Sequence, residues 1–374
     1  MHAKKLINPT RKPAAKIAAL LLNWYGKNRR DLPWRQTRDP YRVWLSEIML
    51  QQTQVATVIP YYQRFLERFP TVQDLAAADQ DEVLKLWAGL GYYSRARNLH
   101  RGAQVIAQRF GGHVPDSAEL IRQVPGIGAY TAGAVLSIAY DKPEPLVDGN
   151  VARVLARVYL LNGDYRKSEG KLAAWAAARE LMAASCGRGK KRSPGDLNQA
   201  LMELGATVCL PRSPSCAICP LSLCCLARKN GLQNEYPQLE GKAAVPVWQL
   251  RAWIVKNARG ELLFAQRGAK GLFGGLWEVP TERPDLKSIK AQMPARFIKQ
   301  SQNWVRHVLT HRVLEIEVRR SLHGDWFARS HAPAEFPCWS GKYTLYRWLS
   351  PRSALNGNEI AVSSAQHKIL LSAE

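Results

Sequence analysis

Between two stretches of helical periodicity the chain reads Val124-Pro125-Gly126-Ile127-Gly128-Ala129-Tyr130-Thr131-Ala132-Gly133, and one apolar run later Val147-Asp148-Gly149-Asn150. Two glycines one residue apart, with a helix pattern on either side, leave few arrangements open. Gly126 and Gly128 predict a turn whose φ values a side chain resists and whose backbone comes close to another surface. The N–H groups opening the next helix then face outward with the positive end of its dipole, which suits a phosphate. Asp148 follows one helix later, so an anion grip and a candidate catalytic acid are tied into one short segment.

The 374 residues carry 53 Lys and Arg against 30 Asp and Glu, a formal net charge of +23. That excess points to a polyanionic partner. No apolar run approaches the ~18 residues of a spanning helix, and no basic amphipathic anchor is present, so a membrane partner is not expected. The basic start, with Lys4, Lys5, Arg11 and Lys12, lacks the apolar core of a secretory signal. Seven unevenly spread cysteines do not suit a disulfide scaffold, and a reducing cytoplasmic location is expected.

From Pro13 to about Ala227 the apolar spacing is helical, over Lys16–Tyr25, Tyr41–Gln54, Glu82–Leu90, Ser94–Phe110, Ser117–Val124, Tyr130–Tyr140, Val151–Leu161, Leu172–Ala184 and Leu197–Val208. Asp116 with Glu119 reads as a capping box for the helix before the glycine turn. A small basic insertion, Gly187–Pro194, reads as a loop. The second half is strand-like. Val245–Val255 and Glu261–Gln266 flank Asn257-Ala258-Arg259-Gly260, a hairpin signal. Leu314, Ile316 and Val318 alternate with Glu315, Glu317 and Arg319, and Lys342–Leu349 is a further strand. The expected organisation is therefore multidomain: an all-helical domain over 1–228, a linker over 229–244, and a mixed α/β domain over 245–374.

Cys209, Cys216, Cys219 and Cys225 follow the spacing C-x6-C-x2-C-x5-C at the end of the helical half. Four thiolates this close form the donor set of a metal site. Zinc sites usually bring two separated C-x2-C pairs. One pair within a compact 209–225 loop suits an iron–sulfur cubane better, with zinc and plain buried thiols as the alternatives. Cys224 competes as fourth ligand, while Cys186 and Cys338 read as ordinary small apolar residues.

Two carboxylates carry the chemistry. Glu47 falls in Trp44-Leu45-Ser46-Glu47-Ile48-Met49-Leu50, where its helical neighbours are Val43, Trp44 and Leu50. Poor solvation there predicts a raised pKa and a proton held near neutrality. A buried ion pair is the competing role for that glutamate. Asp148 precedes a helix expected to start at Val151 with Asn150 as cap, whose positive end favours the ionised aspartate. One protonated and one ionised carboxylate form the pair that glycosidic cleavage uses.

Glycine turn, downstream aspartate and cysteine ladder together resemble the helix-hairpin-helix DNA glycosylases of the endonuclease III type. Lyase members of that family carry a lysine two residues after the second glycine, and Tyr130 stands there, so the imine-forming nucleophile is missing. Leu32-Pro33-Trp34-Arg35, Trp44-Leu45-Ser46-Glu47 through Gln54, Gly89-Leu90-Gly91-Tyr92-Tyr93-Ser94-Arg95 and Leu197-Asn198-Gln199-Ala200-Leu201-Met202-Glu203-Leu204-Gly205 are similar to the MutY-type adenine DNA glycosylases. Gly271-Leu272-Phe273-Gly274-Gly275-Leu276-Trp277-Glu278-Val279-Pro280 resembles that family's Nudix-like domain. Thr281–Gln292 offers only Glu282 and Asp285, which departs from the glutamate-rich helix of Nudix hydrolases, so pyrophosphate hydrolysis is not expected.

The resemblance implies a monofunctional enzyme of base excision repair, cytoplasmic and nucleoid-associated, monomeric, and bearing one 4Fe-4S cluster on Cys209, Cys216, Cys219 and Cys225. Its partner would be double-stranded DNA with adenine mispaired with 8-oxoguanine or guanine. It assigns catalysis to Glu47, Asp148, Asn150 and Tyr130, with Tyr130 hydrogen-bonded near Asp148. Arg30, Leu32, Trp34, Arg35 and Gln199 would line the adenine pocket, Gln52 and Tyr92 would enter the base stack, and Gly126 and Gly128 would grip the backbone. Thr310 and His311 would read the lesion, with Leu309 and Thr310 standing where the family has phenylalanine and serine. A bifunctional endonuclease III-like glycosylase and a cluster-bearing DNA-binding protein without catalysis are the alternatives.

Overall fold

The computed structural model describes residues 11–186, 192–241, 244–283, 298–321, 343–356 and 359–372. Cys338, Asp285, Lys342 and most of the 187–194 insertion lie outside them. The chain forms two compact units, residues 1–62 with 102–242 and residues 63–101 with 243–374. Among the described residues, no helix is long and apolar enough to cross a membrane.

The first unit is helical. It contains α1 (Arg11–Asn28), α2 (Pro40–Leu50), the start of α3 (Val55–Arg68) and the end of α6 (Ser94–Arg109). It continues with α7 (Ala118–Ile121), α8 (Ala129–Ile138), α9 (Gly149–Tyr159), α10 (Ser168–Ser185), α11 (Pro194–Thr207) and α12 (Leu226–Lys229). Leu21, Leu146, Val154, Leu155, Leu181, Leu201 and Leu204 fill one core. The nine helical stretches read from spacing all contain helices, while α3, α4 (Val72–Ala77) and the short α12 are additional to them. Helix α3 holds Pro60, a residue that argues against a helix interior, and α4 is too short to show a period.

Local signals at helix starts resolve differently in two places. Ser117, not Asp116, caps α7, accepting from the Leu120 N–H. Asp116 instead pairs with Lys142 at 3.4 Å on the surface. Within the basic insertion, Ser193 caps α11 and Pro194 is its first residue, so the loop ends earlier than expected. The segment read as linker begins tied to this unit. Arg157 Nε donates to the Tyr236 carbonyl at 2.8 Å, and the Glu240 N–H donates to Asp164 Oδ2 at 3.0 Å.

Glycines set the helix spacings. A Cβ at Gly133 of α8 would sit 2.2 Å from the Pro145 carbonyl oxygen, and one at Gly195 of α11 would sit 2.7 Å from that of Ser137. A Cβ at Gly205 would meet Asn150 Cβ at 2.7 Å. Helix α11 therefore lies against α8 and α9 at distances only glycine allows.

The second unit combines α4, α5 (Gln80–Trp87) and the adjoining parts of α3 and α6 with, among the described residues, seven strands. The strands are β1 (Val247–Val255), β2 (Leu262–Arg267), β3 (Trp277–Glu278), β4 (Thr281–Glu282), β5 (Ile298–Leu309), β6 (Arg312–Ser321) and β7 (Tyr343–Leu349). One sheet has the order β4-β1-β6-β5, with β1 and β6 parallel, and the other β3-β2-β7. Leu250, Ile254, Phe264, Trp277, Ile316 and Val318 pack between them, with Ile369 and Leu370 from the helix Ser364–Ser372. The alternation in β6 holds: Leu314, Ile316 and Val318 are buried and the glutamates between them are not. The expected β1–β2 hairpin is corrected. Its turn forms, with Gly260 at φ +78°, but the strands meet only at the Lys256–Leu262 bridge and then join different sheets.

Helical segment 63–101 is fastened within this unit by Gln266 Nε2 donating to Asp81 Oδ1 at 3.1 Å, Tyr93 OH donating to the Val362 carbonyl at 3.2 Å, and Arg97 donating to the Gly274 carbonyl.

Gly133→Ala gains helix propensity but forces a methyl into backbone. The expected result is a net loss of about 1–3 kcal/mol of stability, read from a denaturant midpoint; a variant as stable as the parent would mean that α8 is free to move away from Pro145.

Candidate active site

Helix α2 starts on Asp39, whose Oδ1 accepts from the Arg42 N–H at 2.9 Å, followed by Pro40, a residue suited to a first helical turn. Neighbours cover every side of this helix, from Tyr41 and Val43 through Met49. Glu47 is consequently 4 % exposed. Burial pushes its pKa up to about 7; the Tyr130 hydroxyl opposes that, the nearby Asp148 charge adds to it and Arg35 opposes it. A carboxyl at that value exchanges its proton near neutrality, as an acid catalyst must.

Tyr130 leaves the first turn of α8 and donates its hydroxyl to Glu47 Oε2 at 2.5 Å. The expectation that this phenol bonds near Asp148 is corrected: its partner is Glu47. Burial and the two carboxylates hold the phenol well above its usual pKa, so it remains a donor.

Asp148, not Asn150, is the cap of α9, which begins at Gly149. Its Oδ1 accepts from the Val151 N–H at 2.7 Å and its Oδ2 from Asn150 Nδ2 at 3.1 Å. The Asp148 pKa is raised: burial outweighs the lowering from the Val151 N–H, the Asn150 side chain and Arg153. The helix end thus opposes the effect of burial without cancelling it. Behind Asn150, Arg153 Nη2 donates to Asn150 Oδ1 at 2.9 Å and to the Gly205 carbonyl at 2.8 Å, and its Nε to the Cys209 carbonyl at 2.8 Å.

These groups open on a cavity of about 680 Å³. Arg30, Leu32, Trp34, Arg35 and Gln199 line it, and so does Gln52. A residue not singled out beforehand organises that wall. Glu203, 1 % exposed, accepts Arg30 Nε and Nη2 at 2.8 Å each, the Arg30 N–H at 3.0 Å and Arg35 Nη2 at 2.8 Å. Burial alone would raise its pKa, but the hydrogen bonds from Arg30 and Arg35 hold it down to about 2. Its position four residues after Gln199, on one face of a helix, was the available signal.

The hairpin forms as read, with one refinement. Gly126 has φ +83°, the conformation that favours glycine. Gly128 is extended at φ −87°, and a Cβ there would meet nothing within 4 Å. No protein group requires the second glycine, and the space beside it is open. Gln52 (φ 58°) and Tyr92 (φ 48°) are both non-glycine residues in the left-handed region, a strain that concentrates at functional sites.

Tyr92, Thr310 and His311 belong to the second unit. Thr310 and His311 form the exposed two-residue turn between β5 and β6, where Leu309 pairs with Arg312. Tyr92 OH hydrogen-bonds Thr310 Oγ1. Leu309 packs partly buried on the core.

Cys209, Cys216, Cys219 and Cys225 line a second cavity of the first unit. Burial pushes the Cys219 thiol up to about 11, with Cys209, Cys225 and Cys216 adding to the rise, so the four sense one another. Arg157 Nη1 donates to Cys209 Sγ at 3.3 Å. Among the described residues no group of three or more His, Cys, Asp or Glu side chains is arranged to hold a single metal ion. A larger thiolate-bound cluster fits the donor chemistry: four sulfurs around one space, with a guanidinium to offset their charge.

Residues 45–178 match the profile of the HhH-GPD superfamily base excision DNA repair proteins, and residues 251–372 that of the NUDIX domain. Fold and site therefore define a DNA N-glycosylase of the helix-hairpin-helix class. The adenine DNA glycosylase of Rattus norvegicus is 35 % identical over 415 residues, covering 93 % of this chain and 76 % of that one. The chain belongs to the adenine DNA glycosylase family. The Homo sapiens relative is 48 % identical over 314 residues, covering 70 % of this chain and 56 % of its own. A thermostable thymine-DNA glycosylase structure aligns with a TM-score of 0.52 at 31 % identity, over 59 % of this chain and 98 % of that one.

The Tyr130–Glu47 bond yields a directional test. The phenol favours the Glu47 carboxylate, so Tyr130→Phe removes a lowering influence and raises the Glu47 pKa further. The alkaline limb of the single-turnover pH–rate profile should move to higher pH; a limb that stays in place would separate the phenol from the acid.

Proposed function

We propose that this enzyme removes adenine mispaired with 8-oxoguanine or guanine from double-stranded DNA, by hydrolysis and without strand cleavage. The carrying observation is the pairing of Glu47, buried with a pKa near 7, and Asp148 across one cavity walled by Arg30, Arg35 and Glu203. A target base inside the stack is out of reach, so the nucleotide turns out into the cavity, most easily at a mispair. Glu47 gives its proton to adenine N7, which makes the base a leaving group. Asp148, held by Asn150 and the Val151 N–H, then faces the positive charge that develops on the sugar, or bonds to it briefly. Water completes the hydrolysis.

Tyr130 occupies the position from which a lyase's lysine would attack, and through its donated bond to Glu47 it holds the acid in place instead. Gln52 and Tyr92 enter the stack, Gly126 and Gly128 admit a phosphate, and Thr310 with His311 read the opposite base. Cys209, Cys216, Cys219 and Cys225 would hold one 4Fe-4S cluster, which cross-links the loop after α11 when bound. Arg153 and Arg157, both on α9, fasten that loop to the helix that Asp148 caps. A cytoplasmic monomer acting on the nucleoid fits this reading.

Glu47→Gln should lose about 10²–10⁴-fold in single-turnover base release from 8-oxoguanine·adenine duplex, the share general acid catalysis supplies, while still binding the duplex in a gel-shift assay. Base release at the parent rate would remove Glu47 from its role. Thr310→Ala should narrow the rate ratio between 8-oxoguanine·adenine and guanine·adenine substrates. For the cluster, about four irons and four sulfides per purified chain are expected, and Cys225→Ser should lower both; a single zinc per chain would replace this assignment.

A further inference from the structure

Beside the Thr310–His311 turn the second unit holds an arrangement that neither catalysis nor base reading uses. Trp248 of β1 pairs in register with Leu314 of β6, and Val247 with Val313, so this end of the sheet is also the end where the turn lies. The Arg312 guanidinium carbon lies 4.0 Å from the centroid of the Trp248 ring, and that of Arg283, just after β4, lies 4.5 Å from it. Trp248 itself is partly buried against the core, which fixes the ring as a platform.

Two guanidinium groups thus share one indole. They stand well inside the ~10 Å over which salt screens charge. Each gains from the ring's quadrupole. Among the described residues no carboxylate pairs with Arg312; the Trp248 ring is its partner. Elsewhere in the same sheet arginines are neutralised, as Arg251 is by Glu282 and Glu317. Among the described residues, Arg312 is therefore a half-exposed cation with no carboxylate partner, one residue from the turn.

We propose that Arg312, held over the Trp248 ring and flanked by Arg283, is a phosphate contact for the DNA strand that carries the base opposite adenine. This rests on the reading that the Thr310–His311 turn meets that base. A planar guanidinium positioned by a ring suits a phosphodiester better than a mobile lysine would. A phosphate contact fixes register and carries no sequence information.

The test uses the full chain and duplexes containing a non-hydrolysable adenosine analogue opposite either 8-oxoguanine or guanine, with affinity measured over a range of salt concentrations. Arg312→Ala should reduce the slope of log affinity against log salt by about 0.9, the share of one phosphate, equally on both duplexes. Trp248→Leu should weaken affinity while leaving most of the slope, because the charge stays and its platform is lost. Thr310→Ala should instead change the ratio between the duplexes and leave the slope alone. An unchanged slope in Arg312→Ala would overturn the proposal, as would a change confined to the 8-oxoguanine duplex, which would mark a base contact. If the parent chain does not distinguish the two duplexes, the reading of the turn fails, while the slope still reports on Arg312.

Discussion

Two buried carboxylates, Glu47 and Glu203, and a half-buried one, Asp148, surround one cavity, and the helical unit is arranged around keeping them there. Removing a charge from water is costly unless it is paired or neutralised, and each carboxylate meets that cost differently. Glu203 stays ionised between Arg30 and Arg35. Asp148 spends its oxygens on the start of α9 and on Asn150. Glu47 accepts from the uncharged Tyr130 phenol and keeps its proton to about neutral pH. Function follows from that inequality: the carboxyl held by a neutral phenol is the one able to donate a proton.

Helix α11 ties the arrangement together. It brings Glu203 and Gln199 to the cavity on one side. Gly195 and Gly205 let it rest on the backbones of α8 and α9, the helices that carry Tyr130 and follow Asp148. Asn198 adds a buried clasp, donating to Ser137 Oγ and to the Glu144 carbonyl at 2.8 Å each. Such contacts tolerate little displacement, and positioning of reacting groups is where small shifts are most damaging.

Much of this was legible in the chain. Helical spacing located the main helices, alternation located β6, and the cavity gathers Glu47, Tyr130, Asp148, Asn150, Arg30, Leu32, Trp34, Arg35, Gln52 and Gln199. What escaped has identifiable causes. Glu203 looked like one more polar helix residue, because its two arginines lie more than 160 residues away. The Tyr130 bond to Glu47 is likewise non-local, and sequence proximity favoured Asp148. The β1–β2 turn was right while the pairing was wrong, because turn residues specify a reversal and not which sheet each arm joins. The caps at Ser117 and Asp148 were misplaced by one and two residues, since each has competing cap formers beside it.

The path of the chain has a practical consequence for dissection. It enters the second unit at residue 63, returns to the first at 102, and enters the second again at 243. A fragment ending before β1 would keep segment 63–101 but strip away Gln266, Gly274 and Val362, the groups that hold Asp81, Arg97 and Tyr93. Loss of lesion discrimination in such a fragment would therefore not assign that property to the missing residues alone. Conversely, a substitution at Tyr93 or Arg97, far forward in the sequence, acts on the same unit as one in the C-terminal sheet.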